Sequence, residues 1–362
     1  GGASYRDGQI CVEKEEPPMP LVSFLMSNYK TPPAFLRRAL DSMLSQTTPD
    51  FEAVIINDGV KDASYDVLLE YAAKDERIRI IENEQNLGLA ASLNRGIEAC
   101  TGKYIARMDT DDICLPQRLQ LQTEYMESHP EIALAGAWAD TFTEDETKTE
   151  GTWRPVMCPQ AEFRIRLLFG SAPFLIHPTV IFRREFLNKN GLRYSEDTAF
   201  RYAEDYEMWT RCAKYGAIGI LEQTVLKYRL AQTESRITVR HATEMEDCVI
   251  NVQKKLLSEL RIDPAACDHE LHSQLLRGRK PFDLRYRRWM DLVLKQNKTY
   301  GIYDQKYMKR LFHERWYNIV YYEIAKKKTL KERLRCFITL YPDGYFRFIK
   351  DIFKKRRAKT HG

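Results

Sequence analysis

The chain has 362 residues, 44% of them hydrophobic and 30% charged, with a formal net charge of +5. That length suits one large domain or two ordinary ones, and the hydrophobic share is that of a globular protein rather than a disordered or collagenous one. No run approaches the roughly 20 apolar residues of a bilayer-spanning helix, and the polar, proline-bearing start from Gly1 to Pro20 does not read as a signal peptide.

From Leu21 to about Leu230, short apolar runs alternate with amphipathic stretches. Leu21–Met26 reads as a strand and Ala34–Ser45 as a helix. Phe51–Asn57 reads as a strand, followed by a helix over Ser64–Lys74 that a serine opens. Ile78–Glu82 is a strand, and Leu89–Cys100 a helix closed by Gly102. Tyr104–Met108 is a strand. Pro116 is expected to begin the next helix, where its missing N–H costs nothing, and that helix ends near His129 and Pro130. Ile132–Ala139 is a further strand. Such alternation predicts an α/β fold, a mostly parallel sheet with covering helices. Further on, Ala161–Phe169 and Glu204–Tyr215 read as helices, and Thr179–Phe182, Ile218–Leu221 and Val225–Leu230 as strands. After about Ile237 strand signals thin out and the chain reads as helices rich in Lys, Arg and Tyr. The expected organisation is an extension over 1–20, an α/β domain over 21–236 and a mainly helical, basic region over 237–362.

The eight cysteines are scattered and none forms a C-x-x-C pair, so a zinc site is not expected, and reduced thiols in a cytoplasmic protein are.

Ligands of open α/β sheets sit beyond the carboxyl ends of the strands. The first strand is followed by Ser27-Asn28-Tyr29-Lys30, without the glycines of a dinucleotide fingerprint or a phosphate loop. That argues against an ordinary dehydrogenase or P-loop nucleotidase. Asn57-Asp58-Gly59 follows the second strand, Asn83 to Gly88 the third, and Asp109-Thr110-Asp111-Asp112 the fourth.

Three carboxylates within four residues repel each other, at up to about 4 kcal/mol per close pair at an effective dielectric near 20. Two readings fit them. One is a solvated acidic turn capping the helix after Pro116. The other is a site for a hard divalent cation such as Mg²⁺ or Mn²⁺, which would hold phosphate oxygens in place of a glycine cradle. Asp58 reads either as a turn residue bonding its own backbone or as an acceptor for a base N–H. Glu204 and Asp205 open a helix whose apolar face carries Met208, Trp209 and Cys212. They are either acids favoured by the helix dipole or a general base. His177, before a predicted strand, reads as structural on residue type alone.

Taken together, these segments resemble the family-two glycosyltransferases, inverting enzymes of the GT-A (Rossmann-like, nucleotide-diphospho-sugar transferase) fold. The resemblance runs from Leu21 to about Leu230. It is carried by Leu21–Met26 with Tyr29, Ile55–Gly59, Asn86-Leu87-Gly88-Leu89, Gly102–Asp112 with Pro116 and Arg118, His177–Val180, Glu204-Asp205 with Trp209, and Tyr228-Arg229. It implies a UDP-sugar donor, with Ser27, Asn28, Tyr29, Asp58, Asn86, Arg107 and Asp109 at the nucleotide and Asp111 on a divalent cation, Mn²⁺ or Mg²⁺. It also implies Asp205 as catalytic base, Glu204 as its helper, and His177 near the acceptor or the diphosphate. The chain departs from the family pattern at Ser27-Asn28-Tyr29-Lys30, where the usual loop reads Pro-Thr-Tyr-Asn. Asp58 is the sole acid of its loop, and Leu230-Ala231-Gln232 stands where many relatives carry a histidine. A third protein ligand to the cation is therefore not assigned.

From Ile324 onward thirteen Lys and Arg face three acids, with Phe, Ile and Tyr interleaved. Such a basic segment suits an anionic membrane surface at the inner face of a bacterial cell, or alternatively packs its apolar side on the catalytic domain. No base-reading module is recognisable, so nucleic acid is not an expected partner. A glycan or a lipid-linked molecule is the expected acceptor, in bacterial surface polysaccharide or glycoprotein glycan synthesis, and homo-oligomer formation is compatible with the sequence. The alternative function is a non-catalytic sugar-nucleotide or glycan-binding protein on the same fold.

Overall fold

The computed structural model describes residues 3–6, 9–12, 19–143, 145–172, 175–230, 241–277, 282–325, 329 and 331–332. The chain divides into two compact units. The first comprises 1–155, 175–196 and 215–239, and the second 156–174, 197–214 and 240–362.

The first unit begins with a hairpin, β1 (Ala3–Arg6) and β2 (Gln9–Val12), within the segment expected as an extension. Its main body alternates β3 (Val22–Asn28), α1 (Pro33–Leu44), β4 (Phe51–Asp58), α2 (Ala63–Lys74), β5 (Ile78–Asn83), α3 (Leu89–Ala99) and β6 (Tyr104–Met108). The order β5-β4-β3-β6 is parallel throughout, as the alternation requires. α2 is capped by Asp62, whose carboxylate accepts the Ser64 and Tyr65 amides, and not by the serine itself.

After β6 the chain makes a two-residue strand, β7 (Ile113–Cys114), that periodicity does not reveal. α4 (Arg118–Ser128) starts two residues beyond Pro116, which lies in the preceding turn. β8 (Ile132–Phe142) and β9 (Gly151–Trp153) follow. The segment expected as a strand from Thr179 opens instead as a 3₁₀ turn, His177–Thr179, ahead of β10 (Ile181–Arg183) and α6 (Arg184–Lys189). The two strands expected between Ile218 and Leu230 are one, β11 (Ala217–Arg229), with register irregularities around Leu221–Leu226. β10 runs antiparallel between β6 and β8, and β11 lies parallel to β8 and antiparallel to β7, so the nine-stranded sheet is mixed. The core packs Phe24, Met26, Ile55, Leu68, Met108, Leu119, Ile181 and Leu226.

The second unit holds α5 (Gln160–Leu168), α7 (Glu204–Tyr215), whose last residue belongs to the first unit, α8 (Ala242–Glu259), α9 (His269–Gln274), α10 (Leu284–Tyr300) and α11 (Gln305–Ala325). Its core contains Phe169, Val252, Leu256, Trp289, Met290, Phe312 and Trp316. Among the described residues no helix is long and apolar enough to cross a membrane. The basic tail after residue 324 lies, but for a few backbone positions, outside the described residues.

Candidate active site

Parallel register brings the ends of β3, β4, β5 and β6 to one edge: Asn28 pairs with Asn57, Asp58 with Asn83, and Met26 with Met108. Each strand therefore releases a polar residue where the apolar run stops. Asn28 is fully buried, and its Nδ2 donates to Asn57 Oδ1 and Ser64 Oγ, both at 2.9 Å. Ser27 is partly buried, whereas Tyr29 and Asn86 are exposed. Thr31 and Thr110 join hydroxyls at 2.7 Å, tying the first loop to the acidic one.

Asp58 is buried, and its carboxylate works as a clamp. Oδ1 accepts Asn83 Nδ2 at 2.7 Å and the Leu87 amide at 2.8 Å, and Oδ2 accepts the Gly88 amide at 3.0 Å. The loop before α3 is thus fastened to the end of β4. Gly59 makes this closeness possible. Its φ is +76°, and a Cβ there would stand 2.1 Å from the backbone carbon of Gln85. Beside the clamp lies a cleft of about 470 Å³ lined by Asn57, Gly59, Val60, Lys61, Glu82, Asn83 and Glu84. Lys61 and Glu82 form an ion pair across it at 2.9 Å.

Asp109, Asp111 and Asp112 bring one carboxylate oxygen each to within 4.8 Å of the others. Asp109 pairs with the buried guanidinium of Arg107. Asp112 accepts the Arg229 amide on Oδ1 at 2.8 Å, while its buried Oδ2 has no hydrogen-bond partner. Burial, then the charges of Asp109 and Asp111, pushes the Asp112 carboxyl well above the usual carboxylate range. Burial and Asp109 likewise push Asp111 up to about 6. Fully ionised, the three carboxylates carry more negative charge than Arg107 and Arg229 supply in return. An all-carboxylate donor set with a buried unpartnered oxygen fits a hard divalent cation.

Arg229 holds the far wall. Its Nε donates to the Asp111 carbonyl at 2.9 Å, and its guanidinium lies 4.0 Å from the Phe35 ring centroid and 4.5 Å from that of Phe142. Burial, then Asp109, Asp112 and Asp111, raises the Tyr228 phenol, placing it within the field of the cluster. The sequence assigns neither side chain a role, although the Tyr228-Arg229 pair stands near the end of an expected strand.

His177 opens the 3₁₀ turn, and its Nε2 lies 2.8 Å from the Tyr194 hydroxyl. Burial, reinforced by Arg107, holds its ring well below the usual histidine range, so it is neutral at physiological pH. In the second unit, Glu204 and Asp205 begin α7, where Asp205 Oδ1 accepts the Tyr206 amide at 2.6 Å. Met208, Trp209 and Cys212 form the buried face of that helix. Glu207, which received no role from the sequence, is wholly buried and grips Arg211 at 2.7 Å and Lys255 at 2.7 Å.

The family model for glycosyl transferase family 2 matches residues 23–191. An uncharacterised glycosyltransferase of Methanocaldococcus jannaschii is 34% identical over 221 residues, which cover 60% of this chain and 74% of the relative. The amylovoran biosynthesis glycosyltransferase AmsE of Erwinia amylovora is 35% identical over 211 residues, covering 58% of this chain and 76% of the relative. Among solved structures, S. aureus TarS 1–349 in complex with UDP-GlcNAc is similar at 15% identity and a TM-score of 0.47, covering 90% of this chain and 91% of that one. The chain belongs to glycosyltransferase family 2 and has the GT-A fold.

Proposed function

We propose that this glycosyltransferase moves a sugar from a UDP-sugar to a hydroxyl of a glycan or lipid-linked acceptor, with inversion, in bacterial surface polysaccharide or glycoprotein glycan synthesis. The observation that carries the reading is the acidic cluster. Three carboxylates converge within 4.8 Å, one with a buried unpartnered oxygen, at the sheet edge that also holds the Asp58 clamp.

The cleft beside the clamp has room for a nucleobase. Asp58 Oδ2 accepts only the Gly88 amide, so it retains a lone pair for a base N–H. Ser27, Asn28, Tyr29 and Asn86 surround that position in the proposal, and Arg107 holds Asp109 toward the nucleotide. Asp111 would hold Mn²⁺ or Mg²⁺. When bound, such a cation supplies positive charge beside diphosphate oxygens. Asp205 takes the acceptor hydroxyl proton, a contribution of about 10²–10⁴ in rate, and Glu204 orients the acceptor or donor sugar. A neutral His177 offers a hydrogen bond near the diphosphate or acceptor without adding charge. The basic tail would hold the enzyme on the inner face of the membrane.

A panel of UDP-sugars incubated with the protein and Mn²⁺ tests the reading. Metal-dependent release of UDP from at least one donor is expected, and Asp205→Asn should abolish transfer while retaining UDP binding. Absence of UDP binding with and without Mn²⁺ would remove the donor assignment. Turnover near that of the wild type in Asp205→Asn would remove the base. A sugar-nucleotide-binding protein without catalysis would bind UDP and release none from any donor.

A further inference from the structure

Asn94, on α3, is buried, and its side-chain amide grips the backbone of Tyr194 from both sides. Nδ2 donates to the Tyr194 carbonyl at 2.9 Å, and Oδ1 accepts the Tyr194 amide at 2.7 Å. Nδ2 also donates to Glu196 Oε1 at 2.8 Å. The residue held in this way is itself only 2% exposed, and its hydroxyl lies 2.8 Å from His177 Nε2. The turn that bears His177 is bonded directly to β6. The Val180 amide donates to the His177 carbonyl at 3.1 Å, and the Arg107 amide donates to the Val180 carbonyl at 2.9 Å. Arg107 in turn pairs with Asp109. At its other end, α3 begins at Gly88, whose amide Asp58 holds. The chain of contacts therefore runs from the Asp58 clamp along α3, through Asn94 and Tyr194, to His177 and the strand that ends in the acidic cluster.

A side-chain amide that pairs with both backbone groups of one residue fixes that residue in position and in rotation. A phenol is a better donor than acceptor, so its hydroxyl on one nitrogen of a neutral imidazole favours the tautomer with the proton on the other nitrogen and fixes the ring plane. We propose that Tyr194 is a positioning residue: Asn94 fixes its backbone, and its hydroxyl fixes the tautomer and orientation of His177 beside Arg107 and Asp109. This rests on the donor reading only for its effect on nucleotide binding, and the effect on the ring stands apart from it.

Tyr194→Phe removes the hydroxyl and retains the ring that packs 5.5 Å from the imidazole centroid, so the fold is kept, which thermal melting checks. The ring ¹⁵N signals of the seven histidines separate the two effects, with those of His177 identified by their loss in His177→Gln. A preferred neutral tautomer with the proton on Nδ1 is expected for His177 in the wild type, and a shift of its ring signals toward the other tautomer in Tyr194→Phe. Asn94→Asp, which keeps the acceptor for the Tyr194 amide but loses both donated bonds, should move the same signals in the same direction. Calorimetry with UDP and Mn²⁺ supplies the second readout. Tyr194→Phe and His177→Gln should each weaken binding about tenfold, and the double variant no further than His177→Gln alone. Unchanged His177 signals in Tyr194→Phe, or additive losses in the double variant, overturn the proposal. If the wild type fails to bind UDP, the donor reading falls and the ring spectrum still decides whether Tyr194 holds His177.

Discussion

Replacing Asp112 by Asn removes one of three converging charges while preserving its one hydrogen bond. Oδ1 still accepts the Arg229 amide, and an NH₂ group replaces the unpartnered Oδ2. At 4.8 Å, the outer limit of the oxygen separations, two unit charges repel by about 3.5 kcal/mol at an effective dielectric near 20. Arg107 and Arg229 offset part of that, so a gain of about 1–3 kcal/mol in metal-free stability is expected. The sign depends on pH in a defined way. Burial and the neighbouring acids raise the folded-state pKa of Asp112 above 3.8, so the folded form binds more protons than the unfolded one over that window. The Asp112 contribution to wild-type stability therefore falls as the pH rises past about 4, and the advantage of Asn, absent at pH 4, grows above it. Urea denaturation in EDTA at pH 4, 6 and 8 measures this. Mn²⁺ at a hundred times its dissociation constant adds about 2.7 kcal/mol to a protein that binds it only when folded, and the increment should shrink in Asp112→Asn. A variant less stable than the wild type in EDTA at pH 8, or an equal Mn²⁺ increment in both proteins, would refute the electrostatic account.

Gly59→Ala forces a Cβ to 2.1 Å from the Gln85 backbone at a φ of +76°, so the Asp58 clamp should open and UDP affinity should drop at least tenfold by calorimetry; unchanged affinity would show that the clamp does not shape the nucleotide site. His272 is buried, with Trp289 donating to Nδ1 at 3.0 Å and Nε2 facing the Leu168 carbonyl at 2.8 Å, and burial lowers its pKa from 6.5 to about 4. Its contribution to stability is complete above pH 6.5 and is lost as the pH falls toward 4, at up to about 1.4 kcal/mol per pH unit, so His272→Gln should flatten the pH dependence of denaturation between pH 7 and 5; equal slopes would count against it. Glu207→Gln leaves Arg211 and Lys255 without their shared carboxylate, and a loss of about 3–5 kcal/mol is expected in urea denaturation, with a loss below 1 kcal/mol marking the pair as solvent-screened.

Periodicity made the strands and helices from Leu21 to Ala139 readable because each parallel strand is a short, mostly apolar run and the covering helices are amphipathic. It failed where local pattern and tertiary role diverge. β7 is two residues long and exists only because β11 pairs with it. The run from Thr179 is half turn, because the Thr179 hydroxyl accepts the Ala137 amide at 3.0 Å and donates to the Ile176 carbonyl at 2.7 Å. β11 reads as two strands because a polar stretch, Glu222-Gln223-Thr224, interrupts its apolar run, while the pairing with β8 resumes beyond it.

The acidic cluster was legible at once, since three aspartates after a buried strand have few bland explanations, and the family resemblance carried by residues Leu21–Leu230 was legible with it. What each acid does was not. A carboxylate's partners are set by residues remote in sequence: Asp58 by Leu87 and Gly88, Asp112 by Arg229, and Arg107 beside Asp109 by the turn at His177. The sequence by itself determined which strand ends bear polar side chains, because side-chain alternation and apolar run length are local. Only the tertiary structure decided which of those side chains are already spent on holding the loops and which keep an oxygen free, because hydrogen-bond satisfaction in a buried site belongs to the assembled fold.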